Sequence, residues 1–202
     1  SHNMATIRDL CDRCIVLDQG KIIFDGDVDT GIALYLANRT QSGNFVDYSD
    51  YKRESWCKCD DLRIRSIRFE SESIEALERG EPVRIEMKVH ARRSMNSIGL
   101  RFEIRDEMGT PLATSCLYDL QMQEGVNHLA MEYDLRMLSP AQYNTYFTLF
   151  AIGEGGGHSD EDCVPGPRFG IVETYAEKYI EWNARNWGFI QLPDAKLLPE
   201  QE

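Results

Sequence analysis

From Leu62 onward the chain alternates. Val83, Ile85, Met87 and Val89 are separated by Arg84, Glu86 and Lys88, and Ile98, Leu100, Phe102 and Ile104 by Gly99, Arg101, Glu103 and Arg105. A period of two predicts strands with one apolar and one charged face. Further strands are expected at 63–70, 111–118, 127–135, 143–152 and 168–174, divided by turn signals such as Arg79-Gly80-Glu81, Glu107-Met108-Gly109 and Glu124-Gly125. The segment 143–152 is apolar on both faces, as a central strand is. The glycine-rich, acidic stretch 154–167 reads as a long polar loop, and Trp187-Gly188-Phe189-Ile190-Gln191-Leu192 as a last strand before a polar tail over 193–202. Short strands joined by tight turns predict an antiparallel, immunoglobulin-like β-sandwich over 62–192.

Before Leu62 the period differs. Met4, Ile7, Leu10, Cys11 and Cys14 recur at helical spacing, predicting a short helix over 4–14. Two apolar runs then flank Asp18-Gln19-Gly20-Lys21, where Gly20 supplies the positive φ of a tight hairpin turn. Asp27 or Asp29 is placed to cap a second helix carrying Ile32, Leu34, Tyr35 and Leu36. Residues 1–36 are too few to close a core, so they read as a small α/β fragment, the end of a larger unit. Between 37 and 61 no period holds, which predicts a linker; Phe45, Tyr48, Tyr51 and Trp56 are expected to dock rather than stay solvated.

Composition narrows the function classes. The chain has 202 residues, 42% of them hydrophobic, and a formal net charge of −12 spread along its length. That balance suits a soluble globular protein and argues against docking onto phosphate backbones, so nucleic acid is not an expected partner. No apolar stretch reaches a membrane span and no basic-then-apolar leader opens the sequence, which gives a cytoplasmic expectation. Of the six cysteines, Cys11 and Cys14 have the spacing of a metal half-site, but no second half follows, and they are expected to be structural thiols on one helix. His158 with Asp160, Glu161 and Asp162 lacks calcium-loop spacing and reads as a solvated loop, so no metal is expected.

Residues 1–36 carry a continuous motif run: Ser1-His2-Asn3-Met4, Arg8-Asp9-Leu10-Cys11-Asp12-Arg13, Ile15-Val16-Leu17-Asp18-Gln19-Gly20-Lys21-Ile22, and Asp25-Gly26-Asp27. The run resembles the last segment of an ABC-transporter ATPase domain. With Ala33-Leu34-Tyr35-Leu36 and a long β-rich extension, it is similar to the ATP-binding subunits of O-antigen and related surface-polysaccharide exporters (Wzt-like). The extension resembles theirs in the order of its parts, including Gly80-Glu81, Asp106 with Gly109, and Gly188–Pro193 near the end. The resemblance implies a sandwich that recognises the exported glycan, a membrane permease as partner, a homodimer, and a place at the inner face of the bacterial inner membrane. It also implies that His2 is the switch histidine of the parent ATPase; an expression-tag remnant is the other reading of Ser1-His2. The sequence carries no phosphate loop, magnesium-binding strand end or signature motif. Hence no enzymatic activity and no cofactor are expected of this chain, ATP and magnesium belonging to the parent protein.

A glycan site needs flat rings for C–H faces beside polar groups for hydroxyls. The candidate residues are Tyr118, Tyr133, Tyr143, Tyr146, Arg84, Arg101, Glu103, Trp182 and Trp187. For the charged residues, cross-strand ion pairs on a solvated face are an alternative. For the tyrosines, so is core packing with the hydroxyl outward, and for the tryptophans, an anchor for the last strand. Two further roles compete: a structural dimer exchanging the strand around 189–192, and a hydrolase using Glu86 with Glu103, which requires carboxylates roughly 5–10 Å apart.

Overall fold

The computed structural model describes residues 7–8, 10–18, 20–37, 43–53, 57, 61–71, 73–153, 155, 157–173 and 181–193. His2, Trp56 and Cys59 lie outside them.

The N-terminal fragment is helical at Ile7, Arg8 and Leu10, followed by a hairpin of β1 (Arg13–Asp18) and β2 (Lys21–Asp27) turning at Gly20, φ 78°, and by helix α1 (Val28–Ala37). Asp27 is the cap: its carboxylate accepts from the Thr30 backbone N–H at 2.9 Å. Cys14 is not on the first helix but on β1, packed beside Gly31, so Cys11 and Cys14 do not share a helical face.

The rest forms two layers, antiparallel except for one short parallel pair at an edge. One holds β3 (Phe45–Asp47), β4 (Leu62–Phe69), β6 (Pro82–Ala91) and β9 (Gly125–Asp134) in that order. The other runs β5 (Leu77–Glu78), β12 (Phe169–Val172), β10 (Ala141–Ile152), β7 (Met95–Arg105), β8 (Pro111–Met122), with β11 (His158–Pro165) also on β10. Alternation places Ile64, Phe69, Ile85, Met87 and Val89 of one layer against Leu100, Phe102, Phe147 and Leu149 of the other, all buried. This is the expected immunoglobulin-like sandwich.

Three sequence expectations are corrected. The polar stretch 154–167 holds β11, which continues into β12 along one edge of β10. Its polar residues suit a strand because one face is covered only in part. The predicted linker begins the sandwich: β3 pairs with β4, and Tyr48 and Tyr51 are docked as expected, enclosing Arg53. The segment 187–192 is no strand. Helix α2 (Ala184–Trp187), capped by Asn183, ends there, and Ile190 makes one isolated bridge to Leu138.

Arg53 is the main polar element between the layers. Its guanidinium donates to both oxygens of Asp162 (2.7 and 2.9 Å) and to the backbone oxygens of Ile64 (2.7 Å) and Tyr51 (3.1 Å). Asp162 also accepts from the Ile64 N–H at 2.7 Å. The two side chains are 5% and 0% exposed, so the charges persist only because each is so fully paired.

Candidate functional site

On the six-stranded layer, register fixes which residues share the outer surface. Arg101 of β7 lies opposite Cys116 of β8 and Thr148 of β10; Glu103 lies opposite Thr114 and Tyr146; Gly99 lies opposite Phe150, which in turn faces Asp160 of β11. Rings gather at one end. Phe150 meets Tyr118 edge-on at 6.1 Å and His158 at 5.7 Å. A Cβ on Gly99 would overlap the Phe150 ring, so glycine here lets the ring lie on the sheet.

Beside the rings runs a chain of charges. Arg101 Nε donates to Glu103 Oε1 at 2.8 Å and its Nη2 reaches Asp160 at 3.4 Å, while Arg105 donates to Glu103 Oε2. The Arg105 guanidinium lies over the Tyr146 ring, 4.9 Å from its centre. Partial burial works against the Arg101 charge, yet Glu103 and Asp160 outweigh it and hold the guanidinium protonated. Two cations and two carboxylates balance, so the surface offers many donors and acceptors with little net field. Asp160 keeps a buried carboxylate oxygen with no hydrogen-bond partner among the described residues, which costs free energy unless a donor arrives.

The candidate residues therefore separate. Tyr118, which is 60% exposed, Tyr146, Arg101 and Glu103 come together on this surface. Tyr133 and Tyr143 do not. Tyr133 is buried against Phe102, ring centres 4.6 Å apart, and burial pushes its hydroxyl up to about 12. Tyr143 is wholly buried at the start of β10, donating to the Ser139 carbonyl at 2.6 Å, the tyrosine-corner arrangement of immunoglobulin-like folds. Both belong to the core because they fall on the inward phase of their strands. Arg84 lies on the opposite layer, paired with Glu132 at 2.9 Å. Trp182 and Trp187 meet edge-on at 5.6 Å, and Trp182 Nε1 donates to Gly188 O at 2.9 Å. They brace the segment that bonds to Ser139 and Met137 of the same chain.

Glu86 and Glu103 point out from opposite layers and cannot flank one glycosidic bond. The acidic run is likewise divided by β11: Asp160 faces out to Arg101, Asp162 inward to Arg53. Phe150, His158 and Asp160 were not among the candidates for binding sugar. Gly99 in an otherwise alternating strand was the available signal for a ring lying across it.

No family model matches the sequence, and no curated protein matches it. Among solved structures, the chain is similar to the C-terminal domain of Wzt, with a TM-score of 0.54 at 13% identity over 75% of this chain and 95% of that one. The sandwich thus has the fold of that domain. Weaker likenesses reach a metal-bound CARDB domain from Pyrococcus furiosus (TM-score 0.34, 12% identity, 63% of this chain and 100% of that) and a β-glucosidase from Listeria innocua (TM-score 0.34, 11%, 57% and 16%). Neither carries an argument. Among the described residues no helix is long and apolar enough to cross a membrane.

Proposed function

We propose that the sandwich is a carbohydrate-recognition domain of the ATP-binding subunit of an exporter for an O-antigen-type surface polysaccharide, and that it holds the glycan on the outer surface of the six-stranded layer. The observation that carries this reading is the adjacency of Tyr118, Phe150, His158 and Tyr146 to the balanced Arg101–Glu103–Arg105–Asp160 network. Tyr118, His158 and Tyr146 offer rings to the C–H faces of sugars, the buried Phe150 backs Tyr118 and His158, and a neutral array of fixed donors and acceptors takes the hydroxyls. The motif run in 1–36 and the fold shared with the Wzt domain supply the transporter context.

In that setting the domain selects the polymer and presents it to a membrane permease, as a homodimer on the cytoplasmic side, while ATP and magnesium serve the nucleotide-binding part of the parent protein. The chain itself performs no bond chemistry. Calorimetry against a panel of bacterial surface polysaccharides tests the reading. One polymer should give saturable heat, and Tyr118→Ala or Tyr146→Ala should weaken it roughly threefold to tenfold. No heat with any polymer, or heat indifferent to both substitutions, overturns it.

A further inference from the structure

The outer surface of the four-stranded layer differs in charge. Its residues form two adjacent cross-strand rows. In one, Asp47, Ser66, Lys88 and His128 follow one another across β3, β4, β6 and β9; in the other, Phe45, Arg68, Glu86 and Ala130 do. Side chains in neighbouring strands of such a row sit about 5 Å apart. The small Ala130 leaves room beside Glu86, and a cavity of about 240 Å³ opens there, lined by Phe45, Ser66, Arg68, Glu86, Lys88 and His128 over a floor at Met87 and Leu129.

Most of the described arginines are paired. Arg53, Arg79, Arg84, Arg93, Arg101, Arg105, Arg136 and Arg168 each hold a carboxylate within ion-pair distance. Among the described residues, Arg63, Arg65 and Arg68 of β4 and Lys88 of β6 hold none. Arg68 instead lies over the Phe45 ring, 4.5 Å from its centre. Glu86 lies opposite Arg68 in the second row, and Asp47 interacts with Arg65 and Lys88 at longer range. The Asp47 carboxyl is held below the usual range first by the Ser49 hydroxyl and backbone N–H, and only secondarily by those two cations. In a protein of net charge −12, Arg68 and Lys88 thus line one small hollow, beside Glu86, without an ion-pair partner among the described residues.

We infer that this hollow binds an anionic sugar, a uronate or a sugar phosphate, with Arg68 and Lys88 on the charged group, Ser66 and His128 on hydroxyls, and the exposed part of Phe45 against the ring. Unpaired arginine and lysine beside a hydroxyl and an aromatic edge are what a planar carboxylate or a phosphate on a pyranose needs. The volume suits one sugar unit, and the cations would be poorly used by a neutral one.

The test is an NMR titration of the whole chain with glucuronate and glucose 6-phosphate, with glucose and inorganic phosphate as comparisons. At least one anionic sugar should shift the amides of Phe45, Ser66, Lys88 and Ala130. Affinity should fall about tenfold in Arg68→Gln or Lys88→Gln, with unchanged melting temperature. Glucose should leave these amides still, and inorganic phosphate should bind more weakly than glucose 6-phosphate. Equal responses to glucose, phosphate binding as tight as that of the sugar phosphate, or indifference to both substitutions overturns the inference. So does no response to either anionic sugar. Shifts at Tyr118 and Phe150 report the other surface, so failure of one site is read apart from failure of the other.

Discussion

Replacing Arg53 by methionine is the sharpest perturbation of the architecture that supports both surfaces. The substitution keeps much of the stem's volume but removes every bond of the guanidinium. Asp162, 0% exposed, loses its two charge-assisted bonds and retains the Ile64 N–H and the weak Cys57 thiol donor, while the carbonyls of Ile64, Tyr51 and Tyr48 lose a donor. Stranding one partner of a buried ion pair costs about 3–5 kcal/mol. For a chain of this size that corresponds to a fall in melting temperature of roughly 10 °C. Urea denaturation followed by circular dichroism reads it directly. Asp162→Asn alone should also destabilise, but the double variant Arg53→Met/Asp162→Asn should be more stable than the sum of the two single losses, because no buried charge is left unpaired. If Arg53→Met lies within about 1 kcal/mol of the parent, or the double loss is simply additive, the pair is not the lock described here.

Three further outcomes follow from the same geometry. Tyr143→Phe should cost about 1–3 kcal/mol in chemical denaturation, since the Ser139 carbonyl loses its buried donor, and should leave polysaccharide affinity unchanged. Gly99→Ala should push the Phe150 ring off the sheet and weaken polysaccharide binding in calorimetry while the protein stays folded. Stability should fall as pH rises above about 9, because burial holds Cys163 and Tyr133 up to about 12, so the unfolded chain binds fewer of their protons through that window. The midpoint of urea unfolding measured from pH 8 to 11 checks the sign, and a rising midpoint contradicts it.

Much of the sandwich was legible because burial on one face imposes the period of two. The strands around Val83 and Ile98 follow from alternation alone, and the hairpin at Gly20 from turn chemistry. Arg53 was not legible: a lone cation in a polar stretch gives no sign that a carboxylate 109 residues away will enclose it. β11 was missed because His158, Asp160 and Asp162 alternate among polar residues, and period-two patterning detects only apolar contrast. For the site, Arg101 and Glu103 were recognisable as polar-face residues, and Tyr118 and Tyr146 only as rings on neighbouring strands. Tyr133 and Tyr143 were not separable from them, since tyrosine serves core and surface equally and only the strand's phase decides.

The most direct test of glycan recognition is an NMR titration of the whole chain with the polysaccharide that gives saturable heat. Shifts concentrated at Gly99, Arg101, Tyr118, Tyr146, Phe150 and His158, abolished together in Tyr118→Ala/Tyr146→Ala, are the predicted result. Saturable binding whose shifts spare that surface, or persist unchanged in the double variant, would contradict the account.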